Sequence, residues 1–237
     1  MEITPHAAPS TRSMADARGA NATESRGPWE SVHPSDGSGD TCVMELADLD
    51  TDPLRQLERW MEEARAAGEP MPEAMCVATA GADGQPAARM VLMRGLDTGV
   101  VFYTDYGSDK AKDLAVNPRA AALLHYFAPV HRQVRVTGVV ERTSAADSDR
   151  YWATRPAASR LSALVSHQSS VVESRAVLED GVAALAGVEE PDRPDRWGGF
   201  RITPARIEFW EEGPWRLHDR IRFVRDGDGW RTERLSP

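Results

Sequence analysis

Cysteine is nearly absent from this chain: its 237 residues include only Cys42 and Cys76, in unrelated contexts. That excludes a disulfide framework and a cysteine-based metal site, and it fits a reducing, cytoplasmic setting. Positive charge is also in deficit. With 28 Lys and Arg against 37 Asp and Glu, the formal net charge is -9, which argues against a nucleic-acid surface, because such surfaces need a basic excess on one face. Any phosphate site must therefore be local. Long apolar runs are missing as well. Stretches such as Ala120 to Leu124 fall far short of the roughly 20 residues that span a bilayer, and the first residues lack the basic-then-apolar order of a secretion signal. No serine–histidine–aspartate order, zinc-ligand spacing, Walker loop or dinucleotide-binding glycine fingerprint occurs. What is present is an apolar share of 41%, enough for one sizeable core.

Residues 1–45 are rich in Ser, Gly, Pro, Asp, Thr and Ala, with Ile3, Trp29 and Val32 among the few large apolar side chains. Such a segment cannot repay the entropy of ordering, and it reads as a disordered tail ahead of a domain over 46–237. Asp52 and Pro53 supply an N-cap and a first-turn proline for an amphipathic helix carrying Leu54, Leu57, Trp60, Met61 and Ala64 and ending at Gly68. Five β-prone runs follow, over 75–79, 88–93, 100–104, 121–127 and 132–140, with turn chemistry at 82–85 and 97–99. They read as an antiparallel meander. One short helix interrupts them, with Ser108 as N-cap and Pro118 closing it. A helical insert over 144–186 is expected to hold helices at 145–153, 158–165 and 171–186. Strands return over 197–200, 206–210, 216–224 and 230–235. Antiparallel strands covered by helices imply an α+β fold built on a β-barrel.

Several clusters suit an anion. In the run Arg216, Leu217, His218, Asp219, Arg220, strand alternation would put Arg216, His218 and Arg220 on one face, as an anion site or as the solvated side of an edge strand. Arg89 and Arg94 lie five apart on one expected strand, serving different neighbours or one site around a strand end. Tyr103 to Lys110 runs from a strand into a helix start, where free N–H groups, the Ser108 hydroxyl and the Lys110 ammonium would seat a phosphate; an ordinary capped helix with a solvated lysine is the plainer reading. Tyr151, Arg155 and Ser159 recur every fourth residue, although Pro156 suggests a helix end feeding a loop. Gln168, Ser169 and Ser170 offer amide and hydroxyl groups to a heteroaromatic edge, with His167 read as a surface histidine.

In this order, Arg89-Met-Val-Leu-Met, Phe102-Tyr-Thr, Gly107-Ser-x-Lys110, Asn117-Pro-Arg119, Arg132-Gln-Val-Arg-Val136, Tyr151 with Arg155-Pro156 and Ser159, Gln168-Ser-Ser170, Trp197-Gly-Gly-Phe200, Ile207-Glu-Phe-Trp210 and Arg216 to Arg220 resemble the pyridoxamine 5′-phosphate oxidase family. The resemblance runs from about Asp52 to Pro237. It implies an FMN-binding antiparallel split β-barrel with peripheral helices, working as a homodimer with FMN at the subunit interface and with no metal. Carried over by position, Arg89, Arg94, Tyr103, Thr104, Ser108, Lys110, Gln133, Gln168, Ser169, Trp210 and Arg220 would contact FMN. Arg94, Tyr151, Arg155, Ser159, Arg216 and His218 would form the substrate site, with Arg216 and His218 over the reacting ring. The implied reaction is oxidation of pyridoxamine or pyridoxine 5′-phosphate to pyridoxal 5′-phosphate, with O₂ as acceptor and H₂O₂ as product.

This chain departs from the family pattern at four places. Arg94 stands where the family usually has Lys, and a planar fork does not replace a point charge freely. Asp109 stands where a basic residue is usual beside the FMN phosphate, which predicts weaker flavin binding unless Asp109 turns to solvent. The segment Leu161 to Leu164 lacks a common tryptophan, and His125-Tyr-Phe127 replaces an aromatic pair ending in Trp. Two other functions stay in view: a phenazine-biosynthesis-type flavin oxidase acting on a dihydro-aromatic compound, and a non-catalytic flavin or pyridoxal phosphate binding module.

Overall fold

Pro53 in the first turn and the Asp52 carboxylate, which accepts from the Leu54 N–H at 3.0 Å, start helix α1 (Pro53–Ala66). The computed structural model describes residues 43–126 and 130–237. Of the tail expected over 1–45, residues 1–42 lie outside these residues, as does the end of the run at Phe127. Met44, inside the expected tail, is buried, and its N–H donates to Asp219 at 3.0 Å, so ordered packing reaches upstream of residue 46. The buried face of α1 carries Leu57, Trp60 and Ala64, and the Trp60 ring meets Phe209 edge-on at 5.0 Å.

Among the described residues nine antiparallel strands follow: β1 (Ala74–Ala80), β2 (Pro86–Leu92), β3 (Gly95–Leu96), β4 (Val100–Asp105), β5 (Arg119–Tyr126), β6 (Arg132–Arg142), β7 (Trp197–Glu211), β8 (Asp219–Asp226) and β9 (Gly229–Arg234). The sheet order is β2-β1-β5-β6-β7-β4-β3, with β8 added to β7 and β9 to β8. The expected meander does not form, because β4 pairs with β7 instead of β5. Local hairpins join β1 to β2 and β5 to β6, whereas long-range pairing decides where β4 goes.

The expected strands over 197–200 and 206–210 are one continuous strand, β7. Along one edge Phe200 to Glu211 follow β6; along the other, Trp197 to Ile202 pair with β4 and Arg206 to Glu211 pair with β8. The sheet therefore forks around Thr203 to Ala205. A register shift between Thr137 and Gly138 sits opposite the fork. A Cβ on Gly138 would lie 1.9 Å from the Thr203 carbonyl oxygen, so only glycine fits this close approach. The curled sheet is an antiparallel split β-barrel of α+β type, its interior filled by Met75, Val77, Phe102, Leu124, Val136, Ile202, Ile207 and Phe223.

Helix α2 (Asp109–Val116) lies between β4 and β5, and α3 (Ala145–Thr154), α4 (Ala157–Val165) and α5 (Arg175–Ala183) form the insert. Ser144 caps α3 through the Asp147 N–H at 3.0 Å. The last helix is shorter than the expected 171–186, starting only after Ser174. Among the described residues no helix is long and apolar enough to cross a membrane.

Candidate active site

The connection from β4 to α2 builds the most distinctive cluster. Ser108 is the N-cap by backbone shape, but its hydroxyl turns back to the Asp105 carbonyl at 2.7 Å, leaving the helix start without a side-chain cap. Lys110 in the first turn is buried, and its ammonium donates to Thr104 Oγ1 at 3.1 Å, Ser108 Oγ at 3.3 Å and Gln168 Oε1 at 2.6 Å. All three acceptors are neutral. Thr104 Oγ1 also donates to Gln168 Oε1 at 2.7 Å, and Ser169 Oγ accepts from the Asp109 N–H at 3.3 Å. Burial pushes the Lys110 pKa below its ordinary value, the nearby Arg89 guanidinium adds to this, and Asp105 and Asp109 partly oppose it. A buried ammonium held by hydroxyls and an amide, at a helix N-terminus, is set to receive an anion.

Arg89 stands beside this seat in a fixed pose. Its Nη1 donates to Val77 O at 3.2 Å, Thr79 Oγ1 at 2.7 Å and Ala87 O at 3.0 Å, and Thr79 in turn donates to Asp113 at 2.6 Å. Thr79 and Asp113 escaped the sequence reading, since nothing in their spacing links β1 to α2. Asp109 does not face the seat: its carboxylate is 64% exposed and pairs with Lys112 at 3.1 Å.

A second group lies on the insert side. Tyr103 stacks on Tyr151 at 4.0 Å and on Trp197 at 5.6 Å, and the Arg155 guanidinium lies 4.5 Å from the Trp197 ring centre. Helix α3 ends at Thr154, as the proline suggested, but instead of a loop the extended Arg155 and the N-cap Pro156 lead directly into α4. Ser159 falls in the first turn of α4. Arg155 Nη1 is buried without a hydrogen-bond partner, and burial lowers the Arg155 pKa. Burial likewise raises the pKa of Tyr103, with Asp147 reinforcing it. Tyr103 and Tyr151 also line a cavity of about 280 Å³ with Arg94, Asp97, Asp147 and Arg201. Arg94 lies 3.6 Å from Glu73. His167 is exposed, as read.

The third group is a row across β6, β7 and β8, in which Gln133 faces Trp210 and Trp210 faces Arg220. Arg220 grips the buried Glu208 at 2.7 and 2.9 Å. The expectation that Arg216 and His218 alternate with Arg220 on one strand face does not hold. Pro214 lacks an N–H, the chain makes a 3-10 turn over Pro214–Arg216 with Trp215 at φ 53° and Arg216 at φ 63°, and β8 begins only at Asp219. Arg216 is consequently exposed. His218 packs against Trp210 at 4.7 Å, and its Nδ1 accepts from the Gly213 N–H at 3.2 Å. Among the described residues no hydrogen bond or ion pair joins this row to the Lys110 or Arg155 groups.

Residues 61–189 match the family model described as pyridoxamine 5′-phosphate oxidase, and residues 197–237 match that of the pyridoxine 5′-phosphate oxidase C-terminal dimerisation region. The pyridoxine/pyridoxamine 5′-phosphate oxidase of Burkholderia cenocepacia is 50% identical over 200 residues, covering 82% of this chain and 93% of the relative. That of Cupriavidus metallidurans is 49% identical over 194 residues, covering 80% and 91%. Among solved structures, PhzG from Burkholderia lata, in complex with tetrahydrophenazine-1-carboxylic acid, superposes with a TM-score of 0.78 at 30% identity, covering 84% of this chain and all of that one. With residues 61–189 and 197–237 matched to its two family models and half of the aligned residues shared with a named oxidase, the chain belongs to the pyridoxamine 5′-phosphate oxidase family and is an oxidoreductase.

Proposed function

We propose that the protein is an FMN-dependent oxidase that converts pyridoxamine or pyridoxine 5′-phosphate to pyridoxal 5′-phosphate. The observation that carries this reading is the buried Lys110 ammonium, held only by neutral acceptors at the start of α2. FMN fits there: Arg89, Ser108 and Ser169, with Lys110, would hold its phosphate. Bound FMN would supply a hydride acceptor that O₂ reoxidises with release of H₂O₂, and pyridoxamine 5′-phosphate would in addition take up water and release ammonia.

The residues then divide the remaining work. Tyr151, Arg155 and Ser159 hold the substrate phosphate, and the unpartnered Arg155 Nη1 is a donor waiting for such an oxygen. Arg94 borders both ligands. His218 and Arg216 cover the substrate ring and hold its C4′ carbon toward the cofactor, so that positioning does most of the catalytic work. No strong general base is needed for hydride departure. Gln133, Trp210 and Arg220 complete the cofactor contacts from a second copy of the chain. That reading accounts for the separation between the C-terminal row and the Lys110 seat within one copy, and it makes the working unit a homodimer.

A second reading, oxidation of a dihydro-aromatic intermediate, draws on the likeness to PhzG. Anaerobic titration of the FMN-loaded protein separates the two. Bleaching of the flavin spectrum by pyridoxamine or pyridoxine 5′-phosphate, but not by the unphosphorylated vitamers or a dihydrophenazine, is expected. Bleaching by the dihydro-aromatic alone would transfer the assignment to the second reading, and a flavin spectrum inert to all would leave a binding module.

A further inference from the structure

Arg196 lies in the loop before β7, outside all three groups, and its guanidinium bridges two parts of the fold. On one side Nη1 pairs with the Asp105 carboxylate at the end of β4, a buried group that also accepts from the Gly107 N–H at 2.6 Å. The Arg196 carbonyl reinforces this side by accepting from the Tyr106 N–H at 2.6 Å. On the other side Nη2 donates to Ala163 O at 2.9 Å and Leu164 O at 2.7 Å, and Nη1 donates to Ser166 O at 3.1 Å. These are the carbonyls that the end of α4 leaves unpaired, and a cation there also meets the negative end of the helix dipole.

Two residues past Ser166 the chain delivers Gln168 to Lys110 and Thr104, then Ser169 to the Asp109 N–H. Ser169 has φ 71°, a left-handed backbone that a serine holds only when its surroundings impose it. The arm that completes the seat is therefore anchored just upstream by the Arg196 side chain, which is tied to the strand end that begins the seat.

We infer that Arg196, together with Asp105, is a positioning residue for the phosphate seat: it locks the end of α4 to the β4–α2 connection so that Gln168 and Ser169 reach Lys110 and Asp109. The inference rests on the reading of that seat as the FMN phosphate site. Arg196 acts through Gln168 and touches no ligand.

A double-mutant cycle on the full chain tests it, with FMN dissociation constants read from quenching of flavin fluorescence. Arg196→Lys keeps a charge for Asp105 but loses the fork that reaches three carbonyls, and it is expected to weaken FMN binding about 10-fold, in line with the loss of charge-assisted hydrogen bonds. In a Gln168→Ala background the same substitution is expected to add less than about twofold, because both act on one element. Asp105→Asn is a second route to the same break and should behave alike. Multiplicative losses in the double variant, or an Arg196→Lys protein that melts earlier yet binds FMN as tightly as the wild type, would overturn the positioning role. Failure of the wild-type chain to quench FMN fluorescence would instead overturn the FMN reading, and the inference with it.

Discussion

At the scale of single residues, Lys110 shows how a site is held ready at the expense of stability. Its pKa is depressed in the folded chain, first by burial and then by Arg89, from an ordinary value of 10.5. A cation whose folded pKa lies below its unfolded one costs stability at every pH below the folded value, and that cost fades as pH rises toward the unfolded value. Lys110→Met is therefore expected to leave the flavin-free protein at least as stable at neutral pH, by thermal melting. The same variant should bind FMN about 10- to 100-fold more weakly, the range for hydrogen bonds to a charged group. In the wild type, FMN binding should weaken on the alkaline side from below pH 10.5, as the free-state ammonium loses its proton; the Met variant should lack this dependence. Asp109 is the complementary lesson. It reads as a repulsive charge in the sequence, yet at the first position of α2 it points to solvent and pairs with Lys112, where an acid also suits the helix dipole.

At the scale of elements, β7 decides the architecture. It serves β6 on one edge and two different strands on the other, so a fork forms where Thr203 to Ala205 leave β4 and have not yet reached β8. Gly138 lets β6 follow through this bend. Gly138→Ala would set a methyl against the Thr203 carbonyl at 1.9 Å, and overpacking of this kind costs roughly 1–3 kcal/mol. Urea unfolding should show that loss, as a lower midpoint with an unchanged slope. The first helix start and two turns were legible because their signals are local: Asp52 with Pro53, and the turns at 82–85 before β2 and 97–99 before β4. The partner of β4 was not, since β-rich runs carry no mark of which distant strand they will join. How far the C-terminal turn extends was not legible for a related reason, as Pro214 and the close approach of Gly213 to the Leu217 carbonyl override the alternation in the residues that follow.

At the scale of the whole molecule, one face of the sheet carries a cross-strand row of Met90, Cys76 and Leu123, continuing to Arg135 and Glu208. Met90 is 65% exposed and Leu123 36%, an apolar strip on the side of β1 away from the core. The proposed homodimer would cover such a strip. Leu123→Glu should then shift the protein toward monomer in sedimentation velocity and weaken FMN binding in parallel, since the Gln133, Trp210 and Arg220 row of the second copy would be withdrawn. A variant that stays dimeric with wild-type FMN affinity would place the interface elsewhere.

By itself the sequence determined the fold class, most helix starts and the family, because these depend on local periodicity and on motifs kept in order along the chain. Tertiary structure alone decided that Lys110, Thr104, Ser108, Gln168 and Ser169 meet at one point. It also decided that Arg155 lies over Trp197 and that Arg216 leaves the strand. The meeting at Lys110 depends on segments some 60 residues apart in sequence being packed against one another, and long-range packing leaves no periodic trace in either segment.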